Sequence, residues 1–146
     1  MICYYKDIKY FGKTTVLLFE VVNKGTGGLV MKPIDKKEVQ HLLEKYINKP
    51  VYIHAETTNG AYASHFDNKY NVGVYVRNAA VSFTQAKIIG SGRIYRVGLK
   101  MEKGWIYAEG LTDWTIHDET QLLLAGHDSE GRLMVALQIS EQPFDY

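Results

Sequence analysis

Among its 146 residues the chain has a single cysteine, three prolines and almost no net charge, with 17 basic against 16 acidic side chains. Cys3 alone can form no internal disulfide and no Cys-based zinc ribbon, so stability has to come from a packed core. Near-neutrality leaves no basic footprint of the kind that nucleic-acid-binding domains carry, and nucleic acid is not an expected partner. The longest apolar run, residues 14–22, is short for a bilayer span and is broken by Glu20. No basic segment feeds a long apolar stretch ending in small residues, as a signal peptide requires. No membrane partner is expected, and the cytoplasm is the expected location. Ser64, Ser82 and Ser140 fall inside strand patterns rather than on a strained strand-to-helix elbow, which removes the usual setting for a serine nucleophile. Gly90-Ser91-Gly92-Arg93 is too short for a phosphate loop and opens no helix whose N-terminus could hold a phosphate.

What is present favours β structure. The chain carries 46% hydrophobic residues, eleven tyrosines and thirteen glycines, a balance that suits short strands and many turns in one domain with a real core. One stretch reads as a helix, residues 34–48. Asp35 is a good N-cap with Glu38 three residues on, as in a capping box. Val39, Leu42, Leu43, Tyr46 and Ile47 then fall on one apolar stripe, and each large member contributes roughly 1.5–3 kcal/mol when buried. Pro50 ends the run by disfavouring helical geometry in the residue before it. The stripe is expected to pack on the sheet that begins at Val51, with His41 at its flank.

From there strands run to the C-terminus. Asn59-Gly60 signals a two-residue hairpin turn. Its register pairs residues whose numbers sum to 59 + 60 = 119, so that His54 faces His65, Glu56 faces Ala63 and Tyr52 faces Asp67. Residues 72–87 read as one bent strand broken at Asn78-Ala79. Residues 94–101 alternate, Tyr95, Val97, Leu99 and Met101 against Arg96 and Lys100, and a turn at Lys103-Gly104 sets Leu99 opposite Ala108. Residues 121–127 and 132–140 form a last hairpin whose leucine-rich strands are apolar on both faces, as central strands are. The fold class is mainly β: an antiparallel barrel or sandwich meander of about eight strands with one N-terminal amphipathic helix.

The register at Asn59-Gly60 gathers His54, Glu56, His65 and Asp67 on one face, the nearest thing to a chemical site in the chain. His54, His65 and Glu56 suit a divalent metal. The same set would be a small-molecule pocket inside a barrel mouth, or an ordinary solvent face if the hairpin lies at an edge. No cofactor beyond that possible metal is implied, and no catalytic residue is assigned. His117-Asp118-Glu119 and His127-Asp128 read as turn chemistry. Trp105, Tyr107 and Trp114 could form a platform for bases, but with no basic groove beside them packing is the better account.

Residues 1–30 differ from the rest. They read either as an extra hairpin with a Gly-rich linker or as a translated leader, Gly27-Gly28 marking a ribosome-binding sequence ahead of a start at Met31. Residues 31–146 form a single β-rich domain.

The stretches KPVYIHAETTNGAY, YVRNAAVSFTQAKI, YRVGLKMEKGWIYAEGLTDW and LLLAGHDSEGRLMVALQISEQPF resemble the YojF-like family, small proteins of Bacillus and related Firmicutes. The resemblance starts at Met31 and so favours the leader. It implies a domain of unknown function with no catalytic residue to carry over. It also implies a candidate partner, a deacetylase of the N-acetylglucosaminyl-malate type used in bacillithiol synthesis, whose gene often stands beside those of the family. The expected function is therefore a small binding or accessory protein, with a metal-dependent enzyme and a structural homodimer as alternatives.

Overall fold

The computed structural model describes residues 30–58 and 72–145. The expected leader or extra hairpin of residues 1–30 lies outside them, apart from Val30. The described elements are β1 (Lys32–Pro33), α1 (Lys36–Glu44), β2 (Val51–Thr58), β3 (Gly73–Val81) and β4 (Gln85–Ser91). They continue with β5 (Ile94–Met101), β6 (Gly104–Leu111), β7 (Asp113–His117), β8 (Gln121–His127) and β9 (Leu133–Ser140). Every pairing is antiparallel, in one six-stranded sheet of order β1-β7-β8-β9-β2-β3 and one three-stranded sheet of order β4-β5-β6. The two sheets enclose one core, so the sandwich form of the expected fold is the one adopted, with no closed barrel among the described residues.

The core follows from alternation. Val51 and Ile53 of β2, Leu122 and Leu124 of β8, and Leu137 and Ile139 of β9 point inward from the large sheet; Ile88, Val97, Leu99 and Ala108 meet them from the small one. The leucine-rich strands β8 and β9 occupy the middle of the large sheet and are buried on both faces. β7 was not foreseen, because Asp113-Trp114-Thr115-Ile116-His117 lacks a polar–apolar contrast strong enough to read; its Trp114 is nevertheless deep in the core.

α1 starts where the Asp35 side chain accepts the Lys37 and Glu38 N–H groups, both at 2.9 Å. The expected run over 34–48 is α-helical only to Glu44. It then tightens into i→i−3 bonds from Lys45, Tyr46 and Ile47, and Asn48 closes it at φ 60° with its N–H on the Phe83 carbonyl. Val39, Leu42, Leu43 and Tyr46 carry the buried stripe. That stripe joins the core that Val51 and Ile53 of β2 share, as expected of the sheet that begins at Val51, and the helix itself runs along β4 of the small sheet. Gln40 fixes it there, accepting the Ile88 N–H at 3.0 Å and donating to the Ala86 carbonyl at 3.1 Å.

Two further expectations are corrected. The β5–β6 turn is Glu102-Lys103, so Met101 faces Gly104, Leu99 faces Ile106 and Arg96 stands directly opposite Glu109. The slip is two residues, which leaves every side chain on its expected face. The break in residues 72–87 is not at Asn78-Ala79 but between Val81 and Gln85, where the chain passes from one sheet to the other with Phe83 fully buried at the crossing. Gly126 allows the sheets to close at their other end, since a Cβ there would overlap the Gly110 carbonyl at the β6–β7 corner.

Candidate functional site

β2 presents His54 and Glu56 on the face of the large sheet turned away from the core. Both are nonetheless buried, 4% and 5% exposed. The cover begins with a β-bulge. Ile53 pairs with Ala79 and Ala55 with Val76, so two residues of β3, Arg77 and Asn78, stand opposite the single His54. A bulge re-aims side chains, and this one delivers the Arg77 guanidinium to Glu56, with Nη2 2.6 Å from Oε2. Asn78 sits at φ 47°, a left-handed conformation that Asn tolerates. Its amide clamps the C-terminal segment, donating to the Phe144 carbonyl and accepting the Phe144 N–H, each at 2.8 Å. Phe144 is thereby laid over His54 with ring centroids 4.1 Å apart. On the other side β9 sets the buried Gln138 opposite His54.

These surroundings fix the charge states. Burial, reinforced by the positive charge of Arg77, pushes the His54 imidazole down to about 4, against a smaller opposing effect of its hydrogen bond with Asn78. His54 is therefore neutral near pH 7. Burial pushes the Glu56 carboxyl up, while the hydrogen bond and charge of Arg77 pull it back. Burial chiefly raises the Tyr75 phenol, and the Arg77 guanidinium lies 5.3 Å from the Tyr75 ring centroid.

The expected cross-strand register does not form. β3 occupies one edge of β2 from Val51 to Thr58 and β9 occupies the other from Tyr52 to Thr57. No edge is left for His65 to face His54 or for Asp67 to face Tyr52. The nine-residue strand Gly73–Val81, rich in β-branched residues, outcompetes the tight Asn59-Gly60 turn as the partner of β2. His65 and Asp67 themselves lie outside the described residues. Among the described residues no group of three His, Cys, Asp or Glu side chains is placed to hold a metal. A cation at Glu56 would have to displace Arg77.

Arg77, Asn78 and Phe144 complete this site and were not singled out from the sequence. The signal available was the left-handed preference of Asn78 inside a strand pattern, which marks a bulge. A second contact was also missed. Asp113 Oδ2 accepts the Thr112 hydroxyl at 2.6 Å and lies 3.1 Å from His127 Nδ1, while the His127 N–H donates to Thr112 Oγ1 at 3.2 Å. The network ties the start of β7 to the end of β8, and nothing in the spacing of these residues announces it. His117 pairs at 2.8 Å with its neighbour Asp118, as turn chemistry would have it.

Residues 33–144 match the family described as Protein of unknown function (DUF1806). The chain is 56% identical over 115 residues to the uncharacterised protein YojF of Bacillus subtilis strain 168, covering 78% of this chain and 98% of that relative. The chain belongs to the YojF-like family. The crystal structure of Bacillus subtilis YojF shares its fold at a TM-score of 0.68 and 52% identity, covering 81% of this chain and all of that one. The YojF-like resemblance expected from the four quoted stretches is therefore real, and it spans both sheets and the clamped Phe144. No helix among the described residues is long and apolar enough to cross a membrane.

Proposed function

We propose that this YojF-like chain is a cytoplasmic binding or accessory protein that engages a partner protein through β3, beside the Glu56–Arg77 pair. The carrying observation is the exposure of β3. Val74, Tyr75 and Val76 are between 39% and 67% exposed, and among the described residues β3 is paired on one side only. The physical reason is a shortage of cover. Among the described residues a three-stranded sheet and a short helix face six strands, and the first half of β3 is the exposed part of that strand.

An apolar edge strand of this kind is what an extended segment of a partner adds to. Main-chain hydrogen bonds give the affinity, and alternate side chains such as Val74 and Val76 give the specificity. The Arg77–Glu56 bond and the Asn78 clamp hold β3 rigid from behind, which lowers the ordering cost of docking. The occupant this reading names is an extended apolar segment of a different protein. The deacetylase of bacillithiol synthesis implied by the family resemblance is the first candidate, and it would place the chain in sugar-thiol metabolism.

Co-elution tests the reading. The tagged full chain should retain the deacetylase, and Val74→Lys with Val76→Lys should release it without altering the fold. Retention by the double variant overturns the docking surface. No retention, together with a concentration-dependent dimer in light scattering, replaces it with the structural homodimer. Near-stoichiometric divalent metal in the purified protein, lost in a His54→Ala, His65→Ala double variant, would instead support a metal-dependent enzyme.

A further inference from the structure

The outer face of the small sheet carries a second surface, independent of β3. The β4–β5–β6 register lays out three rows across it: Gln85, Lys100 and Trp105; Lys87, Gly98 and Tyr107; Ile89, Arg96 and Glu109. Trp105 and Tyr107 are stacked, ring centroids 5.4 Å apart and planes within 8°, and they are 48% and 59% exposed. Gly98 makes room for them, since a Cβ there would stand 2.8 Å from the Tyr107 ring. Covering a bare glycine with a cross-strand ring is a common stabilising device, but it needs only one ring and does not account for two that stay half in water.

One cation stands beside the pair and others lie farther along the same face. Lys100 Nζ lies 5.7 Å from the Trp105 ring centroid. Lys87 stands two strands from Tyr107, roughly 10 Å away at ordinary strand spacing. Beyond Lys87 the surface runs into a shallow groove of about 670 Å³ between α1 and β4, which Lys36 and Lys37 also line. Glu44 of that groove and Glu109, 3.8 Å from Arg96, are the opposing charges on this path. The chain as a whole is near neutral, so this is local asymmetry that total charge hides.

We infer that the Trp105–Tyr107 pair and the lysine track leading from it to α1 form a binding surface for single-stranded nucleic acid. Stacked, half-exposed rings accept bases without regard to sequence, and a positive path beside them follows a phosphate backbone. This reverses the expectation drawn from overall charge. The missing basic groove is assembled by strand register from lysines far apart in the chain, and Trp114, the third candidate ring, lies in the core.

Fluorescence gives a direct test. The chain has two tryptophans, and with Trp114 buried, quenching reports on Trp105. Titrating the full chain with an oligothymidylate at low salt should quench it, with affinity that falls as salt rises. Trp105→Phe with Tyr107→Ala should weaken binding of the labelled oligonucleotide at least about ten-fold. Lys87→Glu with Lys100→Glu, which leaves both rings in place, should weaken it and lower the salt slope by about two. Unchanged circular dichroism keeps both results free of misfolding. Absence of binding at low salt overturns the inference. So does binding that the ring or lysine variants do not weaken, equal affinity for duplex DNA, or equal quenching by oligoglutamate.

Discussion

Along β4 the Gln40 side chain of α1 satisfies the edge as a neighbouring strand would, taking the Ile88 N–H and serving the Ala86 carbonyl. Along β3 no described residue does the same, and Val74 is 67% exposed. Each strand borders its sheet, and unprotected edges invite pairing with other chains. Among the described residues, only the β4 edge is closed in this way. Under the proposed docking, the sealed edge belongs to the folding of the chain itself and the open one to its partner. The two can be separated by disturbing each in turn.

The largest effect is expected behind the open edge. Arg77→Ala leaves Glu56 buried without its counter-charge, and should cost about 3–5 kcal/mol in urea unfolding. The paired change Glu56→Gln with Arg77→Met removes both charges and should recover most of that loss. Equal destabilisation by the single and paired variants would show that β3 is not held through this ion pair.

Acid should loosen the same region. The folded-state value for His54 is depressed to about 4 from 6.5. Above pH 6.5 both folded and unfolded forms are neutral there, so the group contributes no pH dependence. As pH falls from 6.5 to 4 the unfolded chain takes up the proton first, and stability declines by about 2–3 kcal/mol. Glu56, shifted upward, acts with the opposite sign and offsets part of this. A His54→Gln variant should therefore flatten the decline measured by urea unfolding between pH 6.5 and 4; an unchanged profile would rule out His54 as its source.

Breaking the sealed edge should cost less. Gln40→Ala removes three hydrogen bonds that water can partly replace, two to β4 and one to Glu44, and about 1–2 kcal/mol is expected from thermal melts. It should also make the protein self-associate through β4, seen in concentration-dependent light scattering. Gln40→Glu keeps the acceptor for Ile88 but loses the donors for Ala86 and Glu44 and sets a second carboxylate beside Glu44, so it should not restore the wild-type melting temperature.

The sequence made these regions legible to different degrees. The Asp35 cap, the stripe from Val39 to Tyr46 and the doubly apolar β8 and β9 are local or strictly periodic signals, and they appear where expected. The β5–β6 register slipped by two residues because Gly104 could serve either the turn or the strand; the faces survived since the slip was even. The pairing of β2 was misread because a two-residue turn signal is local, whereas the choice of β3 and β9 as neighbours depends on residues 15 or more positions away. Glu56 and His54 could be named from alternation alone. That Arg77, Asn78 and Phe144 would enclose them depended on a bulge and a returning C-terminus, and these become visible only once three strands are set side by side.

Hydrogen exchange resolves the smallest and most direct difference between the edges. The Ile88 amide has its only partner in the side chain of Gln40, so its protection measures the seal itself. It should exchange at least about ten-fold more slowly than the outward amides of β3, whose opening needs no loss of structure. Gln40→Ala should bring Ile88 to the β3 rate while Val97, in the central strand of the small sheet, keeps its own. If Ile88 stays protected in the variant, helix packing and not the Gln40 amide closes that edge. If Val97 accelerates with it, the seal holds the whole small sheet together, and the contrast with β3 becomes one of cooperative stability instead of edge chemistry.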